Sequence, residues 1–426
     1  MTATTLTMHH IARVEGHGNV HVSIEDGMVR DVRMNIVEPA RLFESMVAGR
    51  SFDKVSYIAS RICGICSSSH VVTDLMAIED AFGIEVSERT RMLRELLIYG
   101  SYLQNHASHL FVFAAPDFVG EESLFPVAEK DPELFEGGLA VKALGNELCT
   151  KIGGRSIHPI TAVVGGFTHE IERDEYLELA DRLAAMRLFA EHVVDVFAAF
   201  SVPDIASRGD FMALYEEGHY AVASGSPRFV KDGRVFDVHD YRDLIDEYQV
   251  DHSAAYFSRR ADTGETFATS ALARINTSWS ELTREARLAA AKAGLRPPAL
   301  NPYDNNVAQA VELVDVCVRC EAMLRELASM QGSSVPVAFE PRAGRGVAMT
   351  EAPRGTLVHD LEFDEQGRVL KANIITPTVH NLSDTEKNIR QVAELLTAQG
   401  ADEPTLRLEI EKLVRAYDPC LSCSVH

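Results

Sequence analysis

Apolar and polar positions alternate in two stretches of this chain; elsewhere the spacing is mostly helical. Val20-His21-Val22-Ser23-Ile24 and Val29-Arg30-Asp31-Val32-Arg33-Met34 switch residue by residue, with Asp26-Gly27 between them. Period-two runs around an Asp-Gly pair predict a hairpin, so residues 9–37 read as a small antiparallel sheet. The alternation returns from Thr356 to Ile375 around a turn at Asp364-Glu365-Gln366-Gly367; Glu351 to Gly355 introduces it and Pro377-Thr378 closes it. Apolar residues recur at three- and four-residue steps over 70–81, 89–113, 170–200, 280–293, 305–330, 385–397 and 405–416. That is the period of helices with one buried face. Residues 202–267 mix short strands, glycine turns and charges. The fold class that follows is predominantly α-helical, α+β: a core of long helices with small antiparallel sheets near the N-terminus and at 356–375. No repeat, linker or break in composition divides the 426 residues, so one domain over 1–426 is expected.

The formal net charge of −22 argues against nucleic acid or an anionic membrane surface as a partner. No window approaches the roughly 20 apolar residues of a membrane span. Met1 to Met8 has neither the basic region nor the apolar core of a signal peptide. A cytoplasmic protein is expected.

Seven cysteines change the picture. Two C-x-x-C pairs stand at opposite ends of the chain, Cys63-Gly64-Ile65-Cys66 and Cys420-Leu421-Ser422-Cys423. An odd count with paired spacing reads as reduced thiolates on a metal rather than as a disulfide framework. Gly64 is expected to let the backbone bend around that metal. A third pair, Cys317 and Cys320, falls inside a helical run and reads as core packing, as does Cys149. His106 and His109 share a helix face, but with no third ligand nearby they read as hydrogen-bonded core residues. Gly153 to Phe167 is glycine-rich yet lacks the G-x-G-x-x-G order of a dinucleotide loop. Glu15, in the loop Arg13-Val14-Glu15-Gly16, reads by itself as a solvated turn carboxylate. Four thiolates suit structural zinc, an iron–sulfur cluster or a redox-active soft metal. The first two are usually built from local spacings, so ends that must meet favour the third.

The residues around the pairs carry a resemblance. Arg61-x-Cys63-Gly-x-Cys66-x-x-x-His70 and Asp418-Pro419-Cys420-x-x-Cys423-x-x-His426 resemble the two signature motifs of the nickel–iron hydrogenase large subunit. The likeness continues through Arg13 to Gly16, Phe43-Glu44, Gly153 to Phe167, Glu351 to Gly355 and Ile374 to Thr378, in order along the whole chain. A related respiratory-complex subunit of the same fold lacks the cysteines. The resemblance implies the large-subunit hydrogenase fold and a Ni-Fe(CN)2(CO) centre held by Cys63, Cys66, Cys420 and Cys423, with Cys66 and Cys423 bridging to iron. It implies heterolytic cleavage of H2 with Cys420 taking the proton, Glu15 relaying it and Arg354 supplying a fixed cation. His70, Pro353, Thr378, Asp418 and Asn105 would surround that centre; many family members carry aspartate where Asn105 stands. Glu44, the Ile374 carbonyl and His426 would hold magnesium or iron.

Ile11 to Glu15, Asn301 to Asn306 and Val414 to Cys420 are similar to the cytoplasmic multisubunit branch, the NAD(P)-linked hydrogenases or sulfhydrogenases. Expected partners are an iron–sulfur small subunit and further subunits carrying iron–sulfur clusters, flavin and NAD(P). Coupling to a heterodisulfide-reductase or electron-bifurcating flavoprotein module is the alternative, and a non-catalytic metal-binding subunit is the different-class one. Precursors in that family run past the final histidine, implying a maturation endopeptidase where such an extension exists.

Overall fold

The structure, a computed structural model, describes residues 3–121 and 123–426. Strands β1 (Ala3–Met8), β2 (Gly18–Glu25) and β3 (Met28–Ile36) form an antiparallel sheet in that order. Its second hairpin closes through Asp26 and Gly27, at φ 49° and 75°, the left-handed pair that matches strand twist in a two-residue loop. Val20, Val22 and Ile24 face the core while His21 and Ser23 are half-buried, as the alternation requires.

The helical body includes α1 (Ser67–Phe82), α2 (Glu88–Ala107), α3 (Pro132–Gly153), α4 (Arg173–Ala198), α5 (Ala271–Ser278), α6 (Asn305–Ser329), α7 (Pro377–Ala398) and α8 (Glu403–Ala416), with other short helices, Phe52–Ala59 and Arg284–Lys292 among them. Helix α6 lies along α4, and α2 along α3. Helix α2 continues through Ser108–Ala114 as wider π turns, a winding often found beside functional sites. Helix α1 runs from Cys66 at its N-cap to Gly83 in the left-handed C-cap conformation and is buried over almost its whole length. It packs on a second antiparallel sheet of β4 (Gly344–Ala352), β5 (Gly355–Phe363) and β6 (Val369–Ile375). The principal apolar core reaches from Leu6 to Val425. Residues 202–267 do contain short strands, Asp210–Tyr215 and Ser226–Phe229 among them; Phe267–Ala268 joins Asp210–Tyr215 in a parallel pairing.

Several elements differ from the sequence reading for identifiable reasons. Strand β4 is buried on both faces from Gly346 onward, so it has no alternation to detect. Helix α7 begins at Pro377 rather than near residue 385 because proline suits the first helical position. Helix α5 and strand β1 lie outside the predicted runs. Helix α3 was hidden by four glycines, which weaken helical propensity. They are there for close approach: a Cβ on Gly145 would lie 2.8 Å from the Gly100 carbonyl oxygen and from the Gln104 nitrogen of α2. Gly145→Ala should therefore push α2 and α3 apart and destabilise the fold by about 1–3 kcal/mol, read as a lower thermal unfolding midpoint; an unchanged midpoint would show that the crossing is loose.

Candidate active site

The chain's two ends meet through backbone first. Glu15 forms a parallel bridge with Cys420, and Leu421 N–H donates to the Glu15 carbonyl at 2.9 Å. Gly16, at φ 83°, permits the approach, since a Cβ there would sit 2.7 Å from Ser422 N. Arg41 reinforces the junction. Its guanidinium donates to the carbonyls of Ile62 at 2.6 Å and Arg61 at 2.9 Å, and its N–H donates to Val425 O at 2.7 Å.

This brings the two cysteine pairs together. The sulfurs of Cys63, Cys66 and Cys423 lie within 4.8 Å of one another, as do those of Cys420 and Cys423 with a Glu15 carboxylate oxygen. Cys63 and Cys420 sulfurs are 3.6 Å apart. All four cysteines are buried. Two expectations need correction. Cys420 and Cys423 are joined as a disulfide, 2.13 Å between sulfurs, within the turn that Cys423 N–H closes onto the Cys420 carbonyl at 3.1 Å. Four-thiolate coordination therefore requires that bond as its two reduced thiolates. Gly64 lacks a positive φ and faces open space, so it is not needed for the turn itself.

The electrostatics favour an anionic sulfur at Cys63. Cys63 is held below the usual thiol range, first by its hydrogen bond with Cys66 and then by the Arg354 charge, against burial. Cys66 is pushed up correspondingly by Cys63 and by burial. Position at the start of α1 adds the helix dipole. Arg354 sits in the two-residue loop between β4 and β5, where Ala352 pairs with Gly355. Its Nε donates to Asp418 Oδ1 at 2.9 Å, while both terminal nitrogens are buried without a protein partner. Soft thiolates beneath a cation with free donors fit a metal that carries anionic ligands. Asp418 also accepts from Asn105 at 2.7 Å and Gln309 at 2.9 Å. Burial raises its carboxyl, but Arg354, His109 and these two donors outweigh that and leave it lowered.

Glu15 is no solvated turn residue. Its Oε2 is 3.0 Å from Cys420 Sγ, and Ser422 Oγ donates to Oε1 at 2.5 Å. The Thr378 hydroxyl accepts from Cys420 N–H at 2.9 Å. Glu44, Ile374 and His426 also converge. Ile374 N–H donates to Glu44 Oε1 at 2.8 Å, His426 Nε2 bonds the Ile374 carbonyl, and that nitrogen is 3.9 Å from Glu44 Oε1. His70 Nδ1 lies 3.1 Å from His359 Nε2, His359 Nδ1 bonds Asp74 at 2.6 Å, and His70 Nε2 has no protein partner.

The remaining cysteines and histidines behave as core. Burial pushes the Cys149 and Cys317 thiols up to about 12. His106 bonds Glu312 at 2.8 Å; His109 bonds Gln309 and the Arg415 carbonyl, each at 2.6 Å. Sequence reasoning missed Arg41, His359, Asp74, Gln309, Glu312, Arg274 and Ser422. The detectable signal was a polar stripe at helical spacing, Asn305, Gln309 and Glu312, within an otherwise apolar run.

A family model described as nickel-dependent hydrogenase matches residues 41–133 and 289–426. The chain belongs to the nickel-dependent hydrogenases. It is 36% identical to sulfhydrogenase 1 subunit alpha of Pyrococcus furiosus, over 99% of this chain and 97% of the relative. Identity to sulfhydrogenase 2 subunit alpha of the same organism is 32%, covering 99% and 98%. The fold superposes on the crystal structure of an NAD+-reducing [NiFe]-hydrogenase in the H2-reduced state with a TM-score of 0.89, at 27% identity over 100% of both chains. The chain is thus a hydrogenase large, catalytic subunit. Among the described residues no helix is long and apolar enough to cross a membrane.

A pH dependence follows from the buried network behind Arg354. Burial raises the Glu312 carboxyl, but the Arg274 charge and its hydrogen bonds overcome this and hold it at about 2 against an ordinary 4.5. A depressed carboxylate contributes stability that is present above pH 4.5 and is lost as pH falls toward 2. Urea unfolding in that window should show a stability slope that Glu312→Gln makes shallower; equal slopes would place the acid sensitivity elsewhere.

Proposed function

We propose that Cys63, Cys66, Cys420 and Cys423 hold nickel, that Cys66 and Cys423 also bridge to an iron carrying cyanide and carbon monoxide, and that H2 is split heterolytically there. The observation that carries this is the 3.0 Å contact between Glu15 and Cys420 Sγ, inside a buried four-sulfur cluster under a partly unpaired arginine. The metal pair supplies Lewis acidity and redox capacity when bound. The protein's share is proton handling and electrostatics. With the Cys420–Cys423 bond reduced, the Cys420 thiolate takes the proton and Glu15 Oε2, 3.0 Å away, receives it. Ser422, bonding the carboxylate through its N–H at 3.2 Å and its hydroxyl, keeps that oxygen aimed at sulfur. Arg354 offers donors to anionic ligands in a site from which Asp418 and the packed core exclude water. Pro353, in the same turn, and Thr378 shape that pocket. His70, whose buried Nε2 has no protein partner, would support a bridging sulfur. Asn105 leaves Asp418 as the acidic group above it.

Glu44, the Ile374 carbonyl and His426 form the magnesium or iron corner. All three are oxygen or imidazole donors already gathered at one point, as a divalent cation needs. The continuous core supports one domain over 1–426. An iron–sulfur small subunit fits the face bearing exposed Gly64, Tyr57, Ile157 and Ile160. Apolar groups left bare near the cysteines call for a partner, and electrons leave through it. The likeness to an NAD+-reducing hydrogenase supports an NAD(P)-linked module beyond it; a flavin in that module and a cytoplasmic location complete the proposal.

Purified complex should contain nickel and iron together with infrared bands of metal-bound cyanide and carbon monoxide; zinc alone without such bands would sink the reading. Glu15→Gln should slow H2/D2O exchange by about 10²–10⁴-fold with nickel content intact. Exchange at the wild-type rate would remove Glu15 from the relay.

A further inference from the structure

The turn that carries Arg354 has little to fix it from within. Ala352 pairs with Gly355, so Pro353 and Arg354 are its two loop residues, and Pro353 has no N–H to donate. The carbonyls of Ala352 and Pro353 point into protein rather than water. Both are taken by one side chain: Arg274 of α5 donates to Ala352 O at 3.0 Å and to Pro353 O at 2.9 Å.

Arg274 is 1% exposed in its side chain, and all five of its N–H donors are used. Nε donates to Glu312 Oε1 at 2.6 Å, and the terminal nitrogens reach Glu312 Oε2 at 2.7 Å, Glu351 Oε2 at 3.2 Å and the two carbonyls. Glu312 is held in turn by Tyr220 OH at 2.6 Å and His106 Nε2 at 2.8 Å. Glu351 accepts from the Thr356 hydroxyl at 2.7 Å and Leu214 N–H at 2.9 Å. Tyr102 OH adds a bond to Glu351 O at 2.9 Å. The two arginines at this turn are thus opposites. Arg274 is saturated and flanked by two carboxyl groups, so it adds little repulsion to its neighbour. Arg354 has a single protein bond and its terminal donors free.

We propose that Arg274 is a positioning residue for catalysis: it clamps the Pro353-Arg354 turn to α6 and α2 so that the Arg354 guanidinium is held over the metal centre. This rests on the role given to Arg354 above. A planar fork is required, because lysine offers one point charge and cannot span a carboxylate and two carbonyls. A displacement of about 1 Å in a catalytic group costs on the order of 10²-fold in rate.

The test compares Arg274→Lys, Arg354→Lys and the double variant in the assembled, nickel-loaded complex. Arg274→Lys should lower H2 oxidation about 10–100-fold and Arg354→Lys about 10²–10³-fold. The double variant should be no slower than Arg354→Lys alone, since Arg274 acts through it. Multiplying losses would overturn the proposal. In nickel-free protein, Arg274→Lys should speed amide hydrogen exchange in a peptide spanning residues 351–356 while leaving α1 unchanged. Wild-type exchange there would overturn it too, whatever the metal does. Glu351→Gln is the milder second variant: its amide must turn N–H groups toward Arg274 while its oxygen serves Thr356 and Leu214, so the same non-additivity and faster exchange are expected. If Arg354→Lys keeps full activity, the role of Arg354 fails, and hydrogen exchange still decides whether Arg274 holds the turn.

Discussion

A guanidinium whose terminal N–H groups find no protein partner cannot rest in a protein interior unless negative charge faces it; the desolvation is too costly. Arg354 imposes that condition on everything around it. Asp418 answers with one oxygen, and its other oxygen is held by Asn105 and Gln309, which explains why polar side chains from α2 and α6 reach into the centre. The cysteine sulfurs answer with the rest: the same positive charge that needs anions favours the Cys63 thiolate. Donor set and counter-charge select each other, and the proposed centre, with its anionic ligands, would satisfy both.

The supporting charges are arranged so that each burial is compensated locally. Arg274 lies between Glu312 and Glu351, and the pair responds in opposite directions: Glu312 is lowered where the Arg274 charge and its bonds win, and Glu351 is raised where burial wins. Arg415 is paired with Asp117, at 2.5 and 2.9 Å, and also takes the carbonyl of Ala12 just ahead of the Glu15 loop. The approach to the Glu15 loop is thereby braced by α8.

Much of this was legible. The cysteine pairs, the Asp26-Gly27 hairpin and the long helices announce themselves through spacing, turn chemistry and period, and Glu44, Asp418 and His426 through their motifs. What was not legible has a common cause. Gln309, Glu312 and Arg274 are polar residues in helices, and sequence alone reads such residues as a solvated face; only packing shows that the face is inside. Strand β4 hides because both its faces are buried, and α3 hides because its glycines serve close packing, Gly145 against α2 and Gly137 against Phe189 of α4. The disulfide between Cys420 and Cys423 departs from the reduced reading because a C-x-x-C turn that can present two sulfurs to a metal can also present them to each other.

The contact between Glu15 and Cys420 spans 405 positions. Loop-closure entropy grows with the logarithm of length, so this junction is among the most expensive in the molecule to form and among the last to reward the chain. Interactions that form late sit on the native side of the folding barrier. Weakening them should leave the speed of folding nearly untouched and shorten the lifetime of the closed state. The seam that makes the active site is then also its latch, setting how long the centre stays shut against water and oxidants once it has been assembled.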